Sequence, residues 1–117
     1  MNKLILPLPP SYNHAYLTTR QGKRIMTNEC RDWKEYARLS VLKQIGHKPP
    51  AEAILIIQYN FYFADNRRRD VPDNYSKVLR DILKDTIVKD DCWQCIGQEH
   101  FGPHGIDKDN PRVEIIW

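Results

Sequence analysis

The segment AILIIQYNFYF, residues 53–63, constrains the fold more than any other part of the sequence, because its side chains alternate between two faces. One face carries only apolar and aromatic residues: Leu55, Ile57, Tyr59, Phe61 and Phe63. The other face mixes apolar with polar residues: Ile54, Ile56, Gln58, Asn60 and Tyr62. β-Branched and aromatic residues in this pattern favour a strand that is covered on one side and largely covered on the other. The segment therefore predicts the central strand of a sheet.

Shorter segments predict the remaining strands. KLILPLPPS reads as a strand that Pro9 and Pro10 end, since proline donates no hydrogen bond to a sheet. RQGKR predicts a hairpin turn in which Gly22 adopts a positive φ. A further strand is expected from about Cys95 to Phe101, then a polar loop, GPHGIDKDNP, and a closing strand, RVEIIW.

Two helices are predicted from apolar residues that recur at three- and four-residue steps. The first is capped by Thr27 or Asn28, runs to about Ile45 and stops at Gly46. Its buried stripe is expected to comprise Trp33, Tyr36, Ala37, Val41 and Ile45. The second helix starts near Pro72 or Asp73 and buries Tyr75, Val78, Leu79, Ile82 and Leu83. Together the elements predict an α+β fold with two main helices on a small mixed sheet, one domain spanning residues 1–117.

Composition excludes several classes of protein. A chain of 117 residues can bury one core without disulfides, and its three cysteines are expected to be free thiols. No apolar run approaches the roughly 20 residues that span a bilayer, so we expect no membrane association. The N-terminus is too weakly apolar for a signal peptide, which favours a cytoplasmic protein.

The stretch RRRDVPDNYSKVLRD, residues 67–81, carries the strongest chemical signal. Pro72 suits the first helical position and biases Val71 towards extended geometry, so that Asp70 and Asp73 can face one point. Paired carboxylates are the hard oxygen ligands that Mg²⁺ takes when it also binds a phosphate. The alternative is structural: Asp73 caps the helix and pairs with Lys77 four residues later.

Cations around the two aspartates suit a phosphate-bearing substrate. Arg67, Arg68 and Arg69 can grip phosphates, and arginine does so with two hydrogen bonds at once. Lys77 can neutralise charge that develops on a phosphodiester, and Arg80 and Lys84 continue a basic track along the helix. The formal net charge is +3, and it would rise further if a metal ion occupied three aspartates, which favours a polyanionic partner.

The order of these motifs resembles that of the RusA-type Holliday junction resolvases, small endonucleases that phages often carry. The family shows an arginine-rich lead into D-x-D-N-x-x-K, an apolar helix ending D-x-L, and a later D-D pair. Here the corresponding residues are RRRD-VP-DN-YS-K, VLRDIL and Asp90-Asp91. The opening PLPPSYNHAY and the closing RVEIIW are also similar to the family's ends, so the resemblance covers nearly the whole chain.

The resemblance implies a function and a set of site residues. It implies Mg²⁺-dependent hydrolysis at four-way DNA junctions by a homodimer, in recombination and repair, with Mn²⁺ as an alternative ion and no nucleotide cofactor. The metal ligands would be Asp70, Asp73 and Asp91, with Asp90 in reserve, and Lys77 would be catalytic. Arg69 would contact DNA and Asn74 would support the site. The hairpin cations Arg20, Lys23 and Arg24 are expected to contact junction arms, or else to form an ordinary solvated turn.

One departure from the family leaves an alternative open. The family has one residue between the first two aspartates, whereas this chain has two, Val71 and Pro72. Cleavage requires the turn to bring the two carboxylates together again. If it does not, the chain is a junction-binding protein of the same fold that no longer cleaves.

A second alternative is a zinc-stabilised interaction domain. Cys92, Cys95, His100 and His104 have the spacing C-x₂-C-x₄-H-x₃-H, which is loosely similar to a zinc knuckle. Against this, the strand predicted from Cys95 to Phe101 would direct these side chains to different faces. A redox role for the CxxC pair is less favoured, because that motif normally opens a helix after a strand.

Overall fold

The computed structural model describes residues 2–117, except for the side chains of Pro72 and Asp73. Its strands, in chain order, are β1 (Lys3–Leu6), β2 (Tyr16–Thr18), β3 (Arg24–Met26), β4 (Ile54–Phe63), β5 (Ile96–Phe101), β6 (Gly105–Ile106) and β7 (Arg112–Ile116). Its helices are α1 (Tyr12–Ala15), α2 (Asn28–Ile45) and α3 (Val71–Leu83). Strands β2 and β3 form a separate hairpin, and the other five strands form the main sheet.

Strand β4 lies inside the main sheet, as its alternating sequence predicts. The strand order is β1–β7–β4–β5, and β6 also pairs with β4. Strand β7 runs antiparallel to β1 and β4, whereas β5 and β6 run parallel to β4. In the parallel pair, Ile54 lies opposite Ile96 and Tyr59 lies opposite Phe101. The sheet is therefore mixed, and the predicted α+β fold class is confirmed.

The buried core joins β4 to the two long helices. Tyr59 and Phe61 of β4 and Leu79 and Leu83 of α3 are fully buried, and Ala37 of α2 belongs to the same cluster. The periodicity of α3 is thus confirmed, while two residues of the predicted apolar faces prove exposed. Tyr36 lies at the border of the α2 stripe and is 60% exposed, and Leu55 lies near the start of β4 and is 77% exposed.

The first long helix begins and ends at the residues that its sequence indicates. The Thr27 hydroxyl accepts a hydrogen bond from the Cys30 amide at 3.2 Å, which satisfies an otherwise unpaired donor of the first turn. Gly46 ends the helix with φ of 74°, a left-handed conformation that costs glycine little. Gly22 has φ of 78° in the turn between β2 and β3, so the predicted hairpin is also confirmed.

Two short elements do not follow the sequence analysis. Helix α1 has only four residues, too few for a periodic pattern to reveal it. Strand β6 forms within the segment predicted to be a loop, because β5 pairs with β4 only as far as Tyr59. Gly105 and Ile106 then take over as partners of Tyr62 and Phe63, which places these backbone groups in the sheet.

The connection from β4 through α3 to β5 places its two loop segments at opposite ends of these strands. Residues 64–70 connect the carboxyl end of β4, at Phe63, to the start of α3. Residues 89–95 lead into β5 at the amino ends of β4 and β5, where the Ile54 amide donates to the Cys95 carbonyl at 2.6 Å. Because β4 and β5 are parallel, helix α3 must carry the chain back along the strand direction, from the end of β4 towards the start of β5. The segment that contains Asp70 and the segment that contains Asp91 therefore lie at opposite ends of the strands.

All three cysteines are free thiols, as expected from their odd number. Cys30 is buried, and Cys92 and Cys95 are partly exposed. Among residues 2–117, no helix is both long and apolar enough to cross a membrane.

We expect Leu79→Ala to destabilise the protein by about 2–5 kcal/mol, because it leaves a cavity in the core. Leu39→Ala is the matched control, since Leu39 is 63% exposed in α2 and should cost less than about 0.5 kcal/mol. Both substitutions replace a helical leucine, so their effect on helix propensity is the same. Urea unfolding followed by circular dichroism measures both, and equal losses would contradict the packing described for α3.

Candidate active site

A surface cavity of about 580 Å³ lies where β4 ends and α3 begins. The N-terminal segment before α1 forms its other wall. The residues around it are Leu8, Pro9, Pro10, Ser11, His14, Phe63, Ala64, Asp65, Arg67, Arg68, Arg69, Asp70, Asn74, Tyr75 and Pro111. The cavity thus brings the arginine run, Asp70 and Asn74 together with the proline-rich start of the chain, although these segments are far apart in sequence.

Asp70 occupies the N-cap position of α3. Its backbone is extended, with φ of −96° and ψ of 94°, and its carbonyl accepts a hydrogen bond from the Asn74 amide at 3.1 Å. The side chain makes no capping hydrogen bond to the described residues. Val71 was expected to be extended, but it is the first helical residue, and the extended residue is Asp70 instead. The carboxylate of Asp70 therefore borders the cavity without an assigned structural role.

The predicted partner of Asp70 lies outside the described side chains. With Asp70 as N-cap, position 73 is the third residue of the helix, about one turn away along the backbone. The two residues between the aspartates, Val71 and Pro72, thus belong to the first turn of α3. The metal-binding and capping roles considered for Asp73 both remain predictions.

The arginines are organised by Asp65, a carboxylate that the sequence analysis did not assign. The Arg67 amide donates to Asp65 Oδ1 at 3.0 Å, and Arg67 Nε donates to both carboxylate oxygens at 3.2 Å. Arg69 Nη2 donates to Asp65 Oδ1 at 2.8 Å. The Arg67 amide and then the Arg69 guanidinium lower the pKa of Asp65 to about 2. An aspartate that accepts from the amide two residues later is a common turn pattern, which is the signal that could have found it.

Arg69 and Arg68 differ in how much freedom they retain. The Arg69 guanidinium lies over the Phe63 ring, 4.3 Å from its centroid, and also donates to the Asp65 and Arg67 carbonyls at 3.1 Å. Arg68 is exposed and forms no ion pair with another described residue. Arg69 is therefore held in place, whereas Arg68 is free to meet a ligand in the cavity.

Lys77 lies on the exposed side of α3, with its Nζ 5.6 Å from the centroid of the Tyr16 ring. Tyr16 is itself anchored, since its hydroxyl donates to Asp81 Oδ2 at 3.2 Å. The buried Lys34 donates to the same oxygen at 2.9 Å. Burial raises the pKa of the Tyr16 hydroxyl. This network joins α2, α3 and β2, and no local sequence pattern predicts it because its members come from distant segments.

The outer part of the predicted basic track is engaged in ion pairs. Arg80 Nε donates to both carboxylate oxygens of Glu99 at 3.0 and 3.1 Å, and Arg80 Nη2 makes a further short contact with Glu99. The Tyr59 hydroxyl donates to Glu99 at 2.7 Å. Lys84 Nζ lies 3.6 Å from Asp90 Oδ1. The DNA contacts expected of Arg80 and Lys84 remain predictions, and either residue would have to exchange its carboxylate for a phosphate.

The second acidic pair lies just before β5. Asp90 accepts a hydrogen bond from the Asp91 amide at 2.8 Å, and this bond, together with nearby Lys84, lowers the pKa of Asp90. Asp91 is exposed, and its carboxylate forms no ion pair with a described residue. Asp91 is therefore the more available carboxylate of the two. Neither residue borders the cavity that contains Asp70.

The cysteines and histidines do not form the zinc site considered from their spacing. The Cys92 and Cys95 sulfurs lie 3.5 Å apart, but His104 Nδ1 accepts a hydrogen bond from the Phe61 amide at 3.1 Å within the sheet. His100 contacts Gln98. Across the described residues, no three histidine, cysteine or acidic side chains are grouped as metal ligands. Of these four residues only His100 lies in β5; both cysteines precede the strand and His104 follows it.

The hairpin places its cations on the surface. Arg20 and Lys23 lie in the exposed turn, and Arg24 is exposed with its guanidinium 4.6 Å from the centroid of the Tyr12 ring. The hairpin follows α1 in the chain, and none of the three cations borders the cavity that contains Asp70. Their contact with DNA remains a prediction.

The family model described as endodeoxyribonuclease RusA matches residues 7–116. This range includes the cavity, both acidic pairs and all the elements of the main sheet apart from β1. A search among curated proteins returned no match.

We expect the Asp65 carboxyl to titrate near pH 2, and Arg69→Ala to move its pKa upward, because one donor to the charged form is removed. Since the folded-state pKa is lowered, the stability that Asp65 contributes is complete above its ordinary pKa and is lost as the pH falls towards 2. Carboxyl ¹³C chemical shifts measure the titration. Arg38→Ala, an exposed arginine in α2, is the control, and an unchanged midpoint in Arg69→Ala would contradict the contact.

Proposed function

The chain belongs to the RusA family of endodeoxyribonucleases, and on that premise we propose that it resolves Holliday junctions with Mg²⁺ in DNA recombination and repair. The family match supports nuclease activity on four-way junctions. The ion, the assembly and the residues that act are the further parts of the proposal. Mn²⁺ is expected to replace Mg²⁺, since both ions favour oxygen ligands. We place this activity on DNA in the cytoplasm.

The observation that carries the proposal is the cavity at the start of α3. It combines an exposed carboxylate, Asp70, with an arginine run on the preceding segment. Arginines beside an uncommitted carboxylate fit a phosphodiester and the cation that accompanies it better than they fit an apolar ligand. Asn74 borders the same cavity and adds a neutral oxygen donor.

Each cation of the site has a proposed part in holding DNA. Arg69 is fixed by Asp65 and Phe63, which suits positioning of a backbone phosphate without a large loss of side-chain entropy. Arg68, which is exposed and borders the cavity, would supply a second contact. Lys77, seated over the Tyr16 ring, would neutralise charge that develops on the phosphate during cleavage. Arg67, Arg80, Lys84 and the hairpin cations Arg20, Lys23 and Arg24 would contact the flanking backbone.

The predicted metal ligands are only partly collected within one chain. Asp70 and Asn74 offer the oxygen donors that Mg²⁺ prefers, and position 73 follows on the same helical turn. Asp91 of the same chain lies before β5, near the amino ends of β4 and β5, whereas Asp70 follows the carboxyl end of β4. A single chain therefore does not fit the full set of three aspartates at this cavity.

A homodimer matches the symmetry of the substrate. A four-way junction has approximate twofold symmetry, and its resolution needs two matching cuts. A C₂ dimer presents two equivalent sites related by the same symmetry. We propose that residues 1–117 form one nuclease domain in each subunit of such a dimer.

A second candidate function is junction binding without cleavage. It is favoured by the additional residue between Asp70 and Asp73, Val71 and Pro72 standing where the family has one residue. In this case the cations would still hold the junction, while the carboxylates would be too poorly arranged to support hydrolysis. Cleavage assays separate the two candidates.

We expect the wild-type protein to make paired, symmetric cuts in a synthetic four-way junction with Mg²⁺, and to make none with EDTA. Asp70→Asn keeps the shape of the side chain but removes its charge, and should lower the rate roughly 100-fold or more. Asp32→Asn, an exposed aspartate in α2, should cleave normally. Tight binding without cutting by the wild-type protein would favour the second candidate, and full activity of Asp70→Asn would contradict the assigned site.

We expect Arg68→Ala to weaken junction binding several-fold and to lower the slope of log Kd against log salt by about one unit, because one phosphate contact is lost. Fluorescence anisotropy with a labelled junction measures both quantities in an Asp70→Asn background, which prevents cleavage during the titration. Arg38→Ala in the same background is the matched control, since Arg38 is exposed in α2, away from the cavity. Equal effects of the two substitutions would argue against a phosphate contact by Arg68.

A further inference from the structure

One face of α3 leads from the cavity to a partly buried ion pair. Asn74, Lys77 and Asp81 follow one another at steps of three and four residues, so their side chains project from the same face of the helix. Asn74 borders the cavity. Asp81, one turn beyond Lys77, accepts hydrogen bonds from two residues of other segments. Lys77 therefore lies between the cavity and this carboxylate.

The carboxylate of Asp81 is already occupied by a lysine from another helix. Lys34 of α2 donates to Asp81 Oδ2 at 2.9 Å, and its side chain is only 7% exposed. A buried ammonium without a partner is strongly unfavourable, so Lys34 retains this carboxylate in the folded protein. Lys77 precedes Asp81 by four residues, the spacing of an ordinary helical ion pair, yet it forms no ion pair with a described residue. The tertiary structure thus replaces the pairing that the helix alone would favour.

The Tyr16 ring is the group that Lys77 contacts instead. Lys77 Nζ lies 5.6 Å from the centroid of the ring, within the range of a cation–π contact. The ring is held at its other end, because the Tyr16 hydroxyl donates to Asp81 Oδ2 at 3.2 Å. Burial raises the pKa of this hydroxyl, so it remains a donor at neutral pH. The same carboxylate oxygen therefore holds both the buried lysine and the ring.

An aromatic ring holds a cation differently from a carboxylate. It attracts the ammonium through its quadrupole but carries no net charge, so the charge of Lys77 is not neutralised. Arg80, three residues later in α3, is paired with Glu99. Lys84 is paired with Asp90. Of these three cations, Lys77 is the one without a carboxylate partner among the described residues, and it can meet a phosphate without first breaking an ion pair.

We propose that Tyr16 and Lys34 are positioning residues that keep Lys77 oriented and unpaired for the phosphodiester. Lys34 occupies the carboxylate that would otherwise attract Lys77, and Tyr16 supplies a neutral surface that restricts the lysine side chain. The restriction matters because a lysine side chain has several rotatable bonds, whose freedom is lost when the ammonium meets the reacting phosphate. This inference rests on the proposed function, in which Lys77 neutralises charge that develops on the phosphate.

Removal of the ring should slow cleavage without weakening the junction complex. We expect Tyr16→Leu to lower the single-turnover rate at saturating protein about fivefold, because the cation–π contact is lost. The Kd for the junction, measured in an Asp70→Asn background, should change less than about twofold. Tyr16→Phe keeps the ring and should retain more than about half of the rate. Tyr36→Leu, at an exposed tyrosine of α2, is the matched control and should cleave as the wild type does.

A double-mutant cycle separates positioning of Lys77 from a general effect on the fold. Lys77→Met alone should lower the rate about 100-fold. Tyr16→Leu should have no further effect in that background, because the ammonium that the ring positions is absent. An equal fractional loss in both backgrounds would overturn the proposal, since the ring would then act by a route that does not include Lys77.

Replacement of Lys34 tests the role of the occupied carboxylate. Lys34→Met keeps the length of the buried side chain but releases Asp81 to pair with Lys77, so the rate should fall several-fold. Asp81→Asn in the Lys34→Met protein removes the competing charge but still accepts from the Tyr16 hydroxyl, and should restore the rate to within about twofold of the wild type. Lys43→Met, at an exposed lysine of the same helix, is the control. No restoration in a folded double variant would contradict the role of Lys34.

A second measurement does not depend on cleavage or on the double variant. In protein labelled with ¹³C at the lysine ε carbons, the Lys77 resonance is identified by its absence from Lys77→Met. The Tyr16 ring current should shift the Lys77 ε protons, and this shift should persist in Tyr16→Phe but vanish in Tyr16→Leu. An unchanged Lys77 resonance in Tyr16→Leu would overturn the proposal.

The outcomes distinguish this inference from the function on which it rests. Failure of the wild-type protein to cleave a four-way junction overturns the proposed function. Full activity of Lys77→Met overturns both the assigned role of Lys77 and its positioning. Cleavage that depends on Lys77 but is unaffected by Tyr16→Leu and Lys34→Met overturns only the positioning. A loss in Tyr16→Leu that disappears in the Lys77→Met background, together with restoration by Asp81→Asn in Lys34→Met, supports it.

Discussion

The parallel pairing of β4 with β5 is the constraint on which the rest of this structure depends. It requires α3 to return the chain along the strand direction, and thereby places Asp70 and Asp91 at opposite ends of the strands. The same strand carries the aromatic core that α3 covers, with Tyr59 and Phe61 fully buried. One hydrogen-bonded register thus determines both the hydrophobic core and the positions of the acidic residues.

Acidic side chains form ion pairs with some of the cations near the cavity and leave another, Arg68, without an ion pair to a described residue. Asp65 holds Arg67 and Arg69, while Glu99 holds Arg80. Arg68 forms no ion pair with another described side chain, although it is next to the held arginines in sequence. The basic residues are therefore not equivalent, and the structure separates those that position the loop from one that is free to meet a phosphate.

The sequence was informative wherever a local pattern carried the information. The alternation in β4, the apolar face of α3 and the Thr27 cap each involve residues close together along the chain. The order of the acidic and basic motifs pointed to the family that the family model then matched. Helix α1 and strand β6 were missed because one is too short for a period and the other forms only where β4 lacks a partner.

The sequence by itself determined the longer elements, the fold class and the family, since these depend on side-chain periodicity and on the order of the motifs. Only the tertiary structure decided that Tyr16, Lys34 and Asp81 form one partly buried network next to Lys77, or that Asp65 organises the arginines. It also decided that Asp70 and Asp91 of one chain lie apart. Spacing along a chain does not state how strands pair, and the direction of that pairing fixes which side chains can meet.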